Sequence, residues 1–218
     1  MSDDYEPDKL TEAAEKEWLE TWVAGPGDKR SKLLDVGTKA PDLELLDHTG
    51  ASRSLSSFWS EGPALLMFWR HFGCGCGLDR ASRLNEESAD YKSAGITPVI
   101  IGQGEPERAA AYREKYEISC TILCDPNFKA YSAFGLSNFG IEQLLYDAPE
   151  ETWCHSKEIG IDFQEARRAI NRPLVDNPWL SPGEFLVDSS GKICVSYTYQ
   201  HCENFPDPRV FLTAAKIF

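Results

Sequence analysis

An apolar run that passes almost directly into a helical segment constrains the fold of this chain more than any other feature. Residues 64–69 read Ala-Leu-Leu-Met-Phe-Trp, which is typical of a strand covered on both faces of its sheet. Leu78, Ala81 and Leu84 follow at helical spacing, and Gly95 can end that helix in a left-handed cap. A buried strand followed by a helix is the repeating unit of an α/β protein with a mainly parallel sheet.

Two cysteines lie in the glycine-rich segment between this strand and this helix. Cys74 and Cys76 are therefore expected at or just before a helix N-terminus, where unpaired N–H groups and the positive end of the helix dipole favour an anion. A thiolate is such an anion, and Arg70 and His71 stand close by in the sequence. We therefore expect at least one of these cysteines to have a pKa below the ~8.5 of a free thiol and to act as a nucleophile.

Apolar runs alternate with helical patterns through the rest of the chain, which favours the same mainly parallel sheet. Right-handed crossovers then fix most of its topology. The further predicted elements are a hairpin around residues 48–50, a strand at 96–102, a helix opened by Pro106, a strand at 120–124, a strand pair at 184–187 and 193–197, and a final helix that begins at 207–208.

Residues 1–35 form an acidic N-terminal extension with one predicted helix, over residues 8–23. Trp18 and Trp22 lie four positions apart and therefore share one face of that helix. The simplest interpretation is a solvated helix that docks both tryptophans onto the core. A dimer arm and a lid over the cysteine site are the alternatives that this pattern leaves open.

Charge and composition exclude several classes of function. The chain has 218 residues and a formal net charge of −13, which disfavours binding to nucleic acid or to an anionic membrane surface. It has no run of about 18 apolar residues, and its first residues, Met-Ser-Asp-Asp, are unlike a signal peptide. Seven cysteines, an odd number, do not suggest a secreted disulfide framework. We therefore expect a cytoplasmic protein whose thiols are mostly reduced.

Four further segments complete a recognisable pattern. They are residues 36–42, 123–126, 131–136 and 182–193, the last of which reads Pro-Gly-Glu-Phe-Leu-Val-Asp-Ser-Ser-Gly-Lys-Ile. Together with the strand that leads into Cys74, they resemble the thioredoxin-fold redoxins of the AhpC/TSA and peroxiredoxin-like group. The resemblance covers roughly residues 36–215.

This resemblance implies a thioredoxin-like fold over residues 36–218, with a central five-stranded, mostly parallel or mixed sheet flanked by helices. It also implies a reactive thiol at Cys74. A cis-proline is expected to face that thiol from a neighbouring strand, and Pro182 matches it best, because an X-Pro bond is the only kind that adopts cis at modest cost. With Gly73, Pro182 would line the substrate pocket.

The cysteine segment departs from the family pattern. Met67 and His71 stand where peroxiredoxins have a proline and a threonine or serine, and Leu180 and Ser181 stand where an arginine is usual. Cys76 comes one place before the partner of a Cys-x-x-Cys motif. These departures concern residues that shape a peroxide site, so they bear on the reaction rather than on the fold.

A disulfide between Cys74 and Cys76 would close a small, strained ring, which would be easily reduced. Gly73 and the glycines that follow each cysteine permit the unusual dihedral angles that such a ring needs. Four interpretations stay open: a redox-active pair, a single working cysteine at position 74, ligation of a metal or cluster, and inert structural thiols.

The other cysteines fall into two classes. Cys154 next to His155 and Cys202 next to His201 lie in polar, loop-like segments, where either thiol could resolve an intermediate on Cys74. Either Cys-His pair could instead donate soft ligands to copper or zinc, and incidental surface placement is the simplest interpretation of both. Buried reduced thiols that pack as small hydrophobic groups are expected in the predicted strands, at Cys120, Cys124 and Cys194.

Residues 137–180 look like an insertion into the redoxin domain. Asp162 is predicted to open a helix there, with Glu165 three positions later as in a capping box, and the helix is predicted to end near residues 171–173. Since this segment leads into Pro182, we expect the insertion to cover the cysteine site and to influence substrate choice.

The sequence thus predicts a thiol-dependent oxidoreductase that reduces a peroxide or exchanges a disulfide. Cys74 would attack the substrate, Arg70 would stabilise negative charge, and Cys76 would resolve the intermediate. His71 follows a buried strand, so it is either a catalytic residue that polarises Cys74 or a satisfied core histidine. We expect no cofactor, a small oxidant or disulfide as substrate, and an external thiol reductant such as thioredoxin or glutathione; a homodimer stays open. The alternatives are a redoxin-shaped module that binds copper, zinc or an iron-sulfur cluster, and a redox sensor that does not turn over.

Overall fold

The computed structural model describes residues 9–27, 32–70 and 75–218, apart from the side chains of residues 9, 10, 75 and 76. Its centre is a seven-stranded sheet in the order β2-β1-β5-β4-β3-β6-β7. The strands are β1 (Glu44–Asp47), β2 (Ser52–Ser54), β3 (Ala64–Phe68), β4 (Thr97–Gly102), β5 (Thr121–Cys124), β6 (Gly183–Val187) and β7 (Ile193–Thr198).

The sheet is mixed, as expected, but it has more strands than the five that were predicted. Strands β3, β4 and β5 run parallel, whereas β6 pairs antiparallel with β3, and β7 pairs antiparallel with β6. The extra strands come from the predicted hairpin, because Leu46 of β1 pairs with Cys124 of β5 and so joins the hairpin to the sheet. A pairing between residues this far apart in the chain has no local sequence signal.

Helices flank the sheet at nearly the predicted boundaries. No helix within the described ranges is long and apolar enough to cross a bilayer. The helices are α1 (Lys9–Ala24), α2 (Gly75–Ser93), α3 (Pro106–Lys115), α4 (Lys129–Ala133), α5 (Ile141–Leu144), α6 (Lys157–Arg168) and α7 (Pro208–Ile217), with short 3₁₀ segments at Leu55–Phe58 and Glu150–Cys154.

Helix α6 is the clearest boundary error. It was predicted to begin at Asp162, but it begins five residues earlier, at Lys157. The reason is the N-cap: Ser156 accepts a hydrogen bond from the backbone N–H of Ile159 (3.4 Å) and so satisfies a donor of the first turn. Asp162 is therefore an exposed residue inside the helix rather than its cap.

Each face of the sheet is covered by its own hydrophobic core. On one face, helices α2, α3 and α7 contribute Ala81, Tyr112 and Phe211, among others. On the other face, the first 3₁₀ segment and the segment of α4 contribute Leu55 and Phe134. Strand β3 lies between the two cores and is buried at every position, which is why its sequence is apolar without alternation.

Helix α1 packs on the insertion rather than on the sheet. Trp18 and Trp22 are only 4% and 2% exposed, and Trp22 stacks on Trp179 at 5.0 Å between ring centroids. The carboxylate of Glu15 accepts hydrogen bonds from Arg168 of α6 at 3.0–3.1 Å. Burial of the two tryptophans is thus confirmed, but the surface that buries them belongs to residues 137–180 and not to the main core.

Candidate active site

The segment that carries the expected nucleophile joins the carboxyl end of β3 to the N-terminus of α2. Cys74, His71 and Gly73 lie outside the described residues, as does the side chain of Cys76. Helix α2 begins at Gly75, which directly follows Cys74 in the chain. The strand before this segment and the helix after it are therefore confirmed. The roles of His71, Gly73, Cys74 and Cys76 stay predictions.

A small cavity, called the α2 pocket below, lies against the first turns of α2. Its volume is about 20 Å³, and a cavity needs roughly 10–15 Å³ to hold one water-sized molecule. Three predicted site residues meet here, namely Arg70, Pro182 and Cys202. The lining as a whole consists of Trp69, Arg70, Gly77, Arg80, Pro182, Tyr199, Cys202 and Phe205.

Pro182 lies at the pocket, but the peptide bond before it is trans. The predicted cis geometry is therefore wrong. The N–H of Ser181 donates to the carbonyl of Ser137 (2.8 Å), and Leu180 forms a β-bridge with Asn138. These contacts hold an extended approach to β6, and trans is also the intrinsically favoured isomer by about 0.5–1 kcal/mol.

Arg70 is held between strand β3 and the end of the insertion. Its Nη1 donates to the carbonyl of Pro178 (2.6 Å), and Gln103 Nε2 donates to the carbonyl of Arg70. Gln103 in turn accepts a hydrogen bond from the N–H of Asn177 (2.9 Å). The insertion thus contacts Arg70, the residue predicted to stabilise negative charge. Burial lowers the pKa of Arg70, so an anion bound next to it would stabilise the charged form of its guanidinium group.

Of the two candidate resolving thiols, only Cys202 lies at the pocket. Its side chain is buried, with Sγ 3.9 Å from the carbonyl of Leu144. Burial raises the pKa of Cys202, and the charge of Arg70 partly opposes that rise. Cys154 is exposed, and its Sγ donates instead to the carbonyl of Glu151 (3.1 Å).

Cys124 and Cys194 are buried as the sequence predicts, whereas Cys120 is half-buried and packs against the same core under α2, α3 and α7. Burial raises the pKa of both Cys120 and Cys124 to about 12, so near pH 8 about one molecule in ten thousand carries either thiolate. Iodoacetamide at that pH is therefore expected to label exposed Cys154 in the native protein and to leave Cys120 and Cys124 unlabelled until denaturant is added. Peptide mapping checks this, and native labelling of Cys120 at the rate of Cys154 would contradict it.

A metal centre was one alternative for the Cys-His pairs. In the part of the chain that the structure describes, no group of three or more His, Cys, Asp and Glu side chains is arranged to hold a metal ion. Cys154 and Cys202 are also divided between a surface segment and the α2 pocket. The described residues therefore do not support the metal-binding alternative.

A buried ion pair beneath the pocket was not predicted. Arg80 of α2 and Glu184 of β6 are 3% and 1% exposed, and Arg80 donates to both carboxylate oxygens of Glu184, at 2.8 and 3.2 Å. Arg80 Nη1 also donates to Glu87 (3.1 Å), and the hydroxyl of Tyr199 donates to Glu184 (2.6 Å). Burial alone would lower the pKa of Arg80, but the charge and hydrogen bonds of Glu184 outweigh it and raise that pKa.

The sequence did contain a signal for this pair. Arg80 and Glu87 share a helical stripe with apolar Leu84 and Tyr91, and Glu184 interrupts an otherwise apolar strand. Charged residues at such buried positions are rarely tolerated unless they are paired. The pair joins α2 to β6 directly below the pocket and so fixes the helix that follows the cysteine segment.

Comparison with known proteins agrees with this geometry. The family model described as the AhpC/TSA family matches residues 36–196, which is most of the chain and includes the segment between β3 and α2. The chain belongs to the AhpC/TSA family. It is therefore an oxidoreductase of the peroxiredoxin-like kind, with a thioredoxin-like fold.

Individual relatives are similar to this chain over different shares of its length. The thioredoxin-like protein AAED1, chloroplastic, of Arabidopsis thaliana is 26% identical over 187 residues, which are 86% of this chain and 72% of the relative. Peroxiredoxin Bcp of Escherichia coli is 25% identical over 103 residues, which are 47% of this chain and 65% of that protein. The resemblance noted from the sequence is thus confirmed at the level of the family.

Solved structures show the same fold. Peroxidoxin BcpB from Mycobacterium tuberculosis superposes with a TM-score of 0.61 at 16% identity, over 85% of this chain and 98% of that one. A peroxiredoxin-like protein from Aquifex aeolicus gives a TM-score of 0.60 at 12% identity, over 86% and 90% of the two chains. At such identities the likeness concerns the fold alone, so the reaction of this AhpC/TSA protein has to be argued from its own residues.

Proposed function

We propose that this protein reduces a small peroxide with Cys74 as its nucleophile. The observation that carries the proposal is the α2 pocket, which brings Arg70, Pro182 and Cys202 together at the N-terminal turns of the helix that follows Cys74. A helix N-terminus and a guanidinium both favour a thiolate over a thiol. The names of several relatives, such as peroxiredoxin Bcp, agree with this reaction.

The size of the pocket favours a peroxide over a bulky disulfide. A volume of about 20 Å³ admits a molecule little larger than water. The same thiolate would attack a disulfide, but the described pocket leaves little room for one.

The reaction has two steps at the protein. The Cys74 thiolate attacks one peroxide oxygen, the O–O bond breaks, and the leaving oxygen takes a proton to become an alcohol or water while Cys74 becomes a sulfenic acid. A second thiol then displaces water from that sulfenic acid and forms a disulfide. Cys76 is the sequence-based candidate for this thiol, and Cys202 is the candidate that the pocket supports; an external thiol returns both cysteines to the reduced state.

We propose the cytoplasm as the compartment of this protein. Five cysteines in the described part of the chain are free thiols, and a reducing compartment keeps thiols in that state. The name of the Arabidopsis relative places that protein in the chloroplast.

Timed thiol blocking after addition of one equivalent of hydrogen peroxide tests the proposal. We expect peptide mapping to show rapid loss of the free Cys74 thiol and a disulfide from Cys74 to Cys76 or Cys202. Cys120 and Cys194 serve as internal controls, because burial raises the pKa of both. Oxidation of Cys74 no faster than these controls would refute the peroxidase, and oxidation without repeated turnover in the presence of thioredoxin or glutathione would indicate a sensor instead.

A further inference from the structure

A second cavity, called the insertion groove below, opens beside the α2 pocket. It is built mainly by α1 and the insertion at residues 137–180, and its volume is about 210 Å³. Arg70 and Cys202 line both cavities. A ligand in the insertion groove would therefore lie next to Cys202, the candidate thiol for the second step of the reaction.

Two guanidinium groups face this groove. Arg167 of α6 is half-buried, and its side chain forms no hydrogen bond or ion pair with any residue of the described ranges. Burial and then the charge of Arg172 lower the pKa of Arg167, and the charge of Arg167 in turn contributes to the lowered pKa of Arg70. A carboxylate between Arg70 and Arg167 would relieve this repulsion and accept charge-assisted hydrogen bonds.

Two carboxylates line the same groove at more exposed positions. Asp147 and Glu203 are exposed, whereas both arginines are half-buried. Glu203 accepts a hydrogen bond from the hydroxyl of Tyr146 (2.8 Å), which fixes its place at the groove. The two arginines make the deeper part of the groove positively charged, and the two carboxylates make its outer part negatively charged. The carboxylates would repel a ligand that carries only a carboxylate, whereas the ammonium group of a zwitterion would pair with them.

We propose that the insertion groove binds a small zwitterionic thiol of the glutathione type, with a carboxylate at Arg70 and Arg167 and its ammonium group at Asp147 and Glu203. The inference rests on the proposed function, since it names the reductant of the same site. The volume of the groove, about 210 Å³, is below the roughly 300–1,000 Å³ of pockets that enclose a drug-sized molecule. A tripeptide thiol would therefore be only partly enclosed, with its ammonium end at the exposed Asp147 and Glu203.

The position of Cys202 gives such a ligand a reaction. Once Cys74 and Cys202 have formed a disulfide, the ligand thiolate attacks the sulfur of Cys202, a mixed disulfide forms, and Cys74 leaves as a thiolate. A second thiol molecule attacks the ligand sulfur of the mixed disulfide, releases Cys202 as a thiolate and leaves as the oxidised dimer of the ligand. Two molecules of the small thiol thus supply the two electrons that the peroxide has consumed.

Binding of S-methylglutathione to the full-length reduced protein tests the groove without any redox step. Isothermal titration calorimetry is expected to detect binding that Arg167→Gln weakens about tenfold, which is 1.4 kcal/mol. Arg209→Gln is the matched control, because it removes the same charge from a residue that does not line the groove. Within the described ranges the side chain of Arg167 forms no hydrogen bond or ion pair, so its variant is expected to keep the wild-type melting temperature. Equal affinities of the two variants would overturn the proposal.

The ammonium group is tested separately with N-acetyl-S-methylglutathione, which keeps both carboxylates. We expect it to bind wild type several-fold more weakly than the free amine, and to lose that disadvantage in the double variant Asp147→Asn, Glu203→Gln. Equal binding of both probes to wild type would overturn the zwitterion. Absence of binding together with normal oxidation of Cys74 would refute the groove alone, whereas normal binding together with an inert Cys74 would refute the proposed function alone.

Discussion

Replacing Cys74 with serine is expected to lower the rate of peroxide reduction by about a thousandfold or more, the scale seen when an enzyme loses the nucleophile of a covalent step. A serine hydroxyl does not ionise near neutral pH, so the helix N-terminus and Arg70 would have no anion to stabilise. The measurement is steady-state consumption of hydrogen peroxide with thioredoxin or glutathione as reductant. Because one atom changes and the predicted position directly precedes Gly75 of α2, the fold is expected to be kept.

Cys154→Ser is the matched control, since the same atom changes at an exposed thiol outside the α2 pocket. Its turnover is expected to equal that of wild type. Comparison of Cys76→Ser with Cys202→Ser then identifies the resolving thiol, because loss of that thiol leaves a sulfenic acid on Cys74 that a sulfenic-acid probe can trap. Full turnover in Cys74→Ser, or an equal loss in Cys154→Ser, would contradict the assignment of the nucleophile.

The parts of the fold that the sequence could predict are those with local signals. The buried strand β3 shows as an unbroken apolar run, helix α2 shows as helical spacing, and α7 begins where Asp207 precedes Pro208. In α7, the side chain of Asp207 accepts a hydrogen bond from the N–H of Arg209, as an N-cap should. Each of these signals lies within a few residues of the structure that it determines.

The features that could not be predicted depend on contacts between distant residues. The hairpin belongs to the sheet because β1 pairs with β5. Helix α1 packs against the insertion, where Trp179 Nε1 donates a hydrogen bond to the carbonyl of Thr21. The contact from Arg70 to Pro178 spans 108 positions of the chain. Neither apolar periodicity nor capping chemistry carries information about such pairs. The sequence could therefore predict the strand and the helix on either side of Cys74, but not that the segment ending at Pro178 contacts Arg70.

The isomer of the Ser181–Pro182 bond shows a related limit. Proline lowers the free-energy cost of a cis peptide bond, but it does not require one. The outcome depends on the backbone contacts of Ser181 and Leu180 with residues 137 and 138, at the other end of the insertion. A motif can therefore locate Pro182 at the pocket without determining the geometry of its peptide bond.

Replacement of Glu184 by alanine is expected to destabilise the protein by about 3 kcal/mol, near the lower end of the 3–5 kcal/mol typical when one partner of a buried ion pair is removed. Arg80 would keep its hydrogen bond to Glu87, which limits the loss, but its charge would no longer be neutralised at β6. The hydroxyl of Tyr199 would also lose its acceptor. Equilibrium unfolding in urea measures the change, which should lower the midpoint without altering the slope.

The double variant Arg80→Met, Glu184→Leu separates stability from function. Removing both charges together avoids an unpaired Arg80, but Glu87 then keeps only the hydrogen bond from the Tyr91 hydroxyl and Tyr199 loses its acceptor. The double variant is therefore expected to be more stable than Glu184→Ala and less stable than wild type. Arg80 lines the α2 pocket and anchors the helix that follows Cys74, so turnover should fall if the pair serves the site. Wild-type turnover in a folded double variant would show that the pair serves the fold alone, and a loss below 1 kcal/mol in Glu184→Ala would contradict the buried ion pair itself.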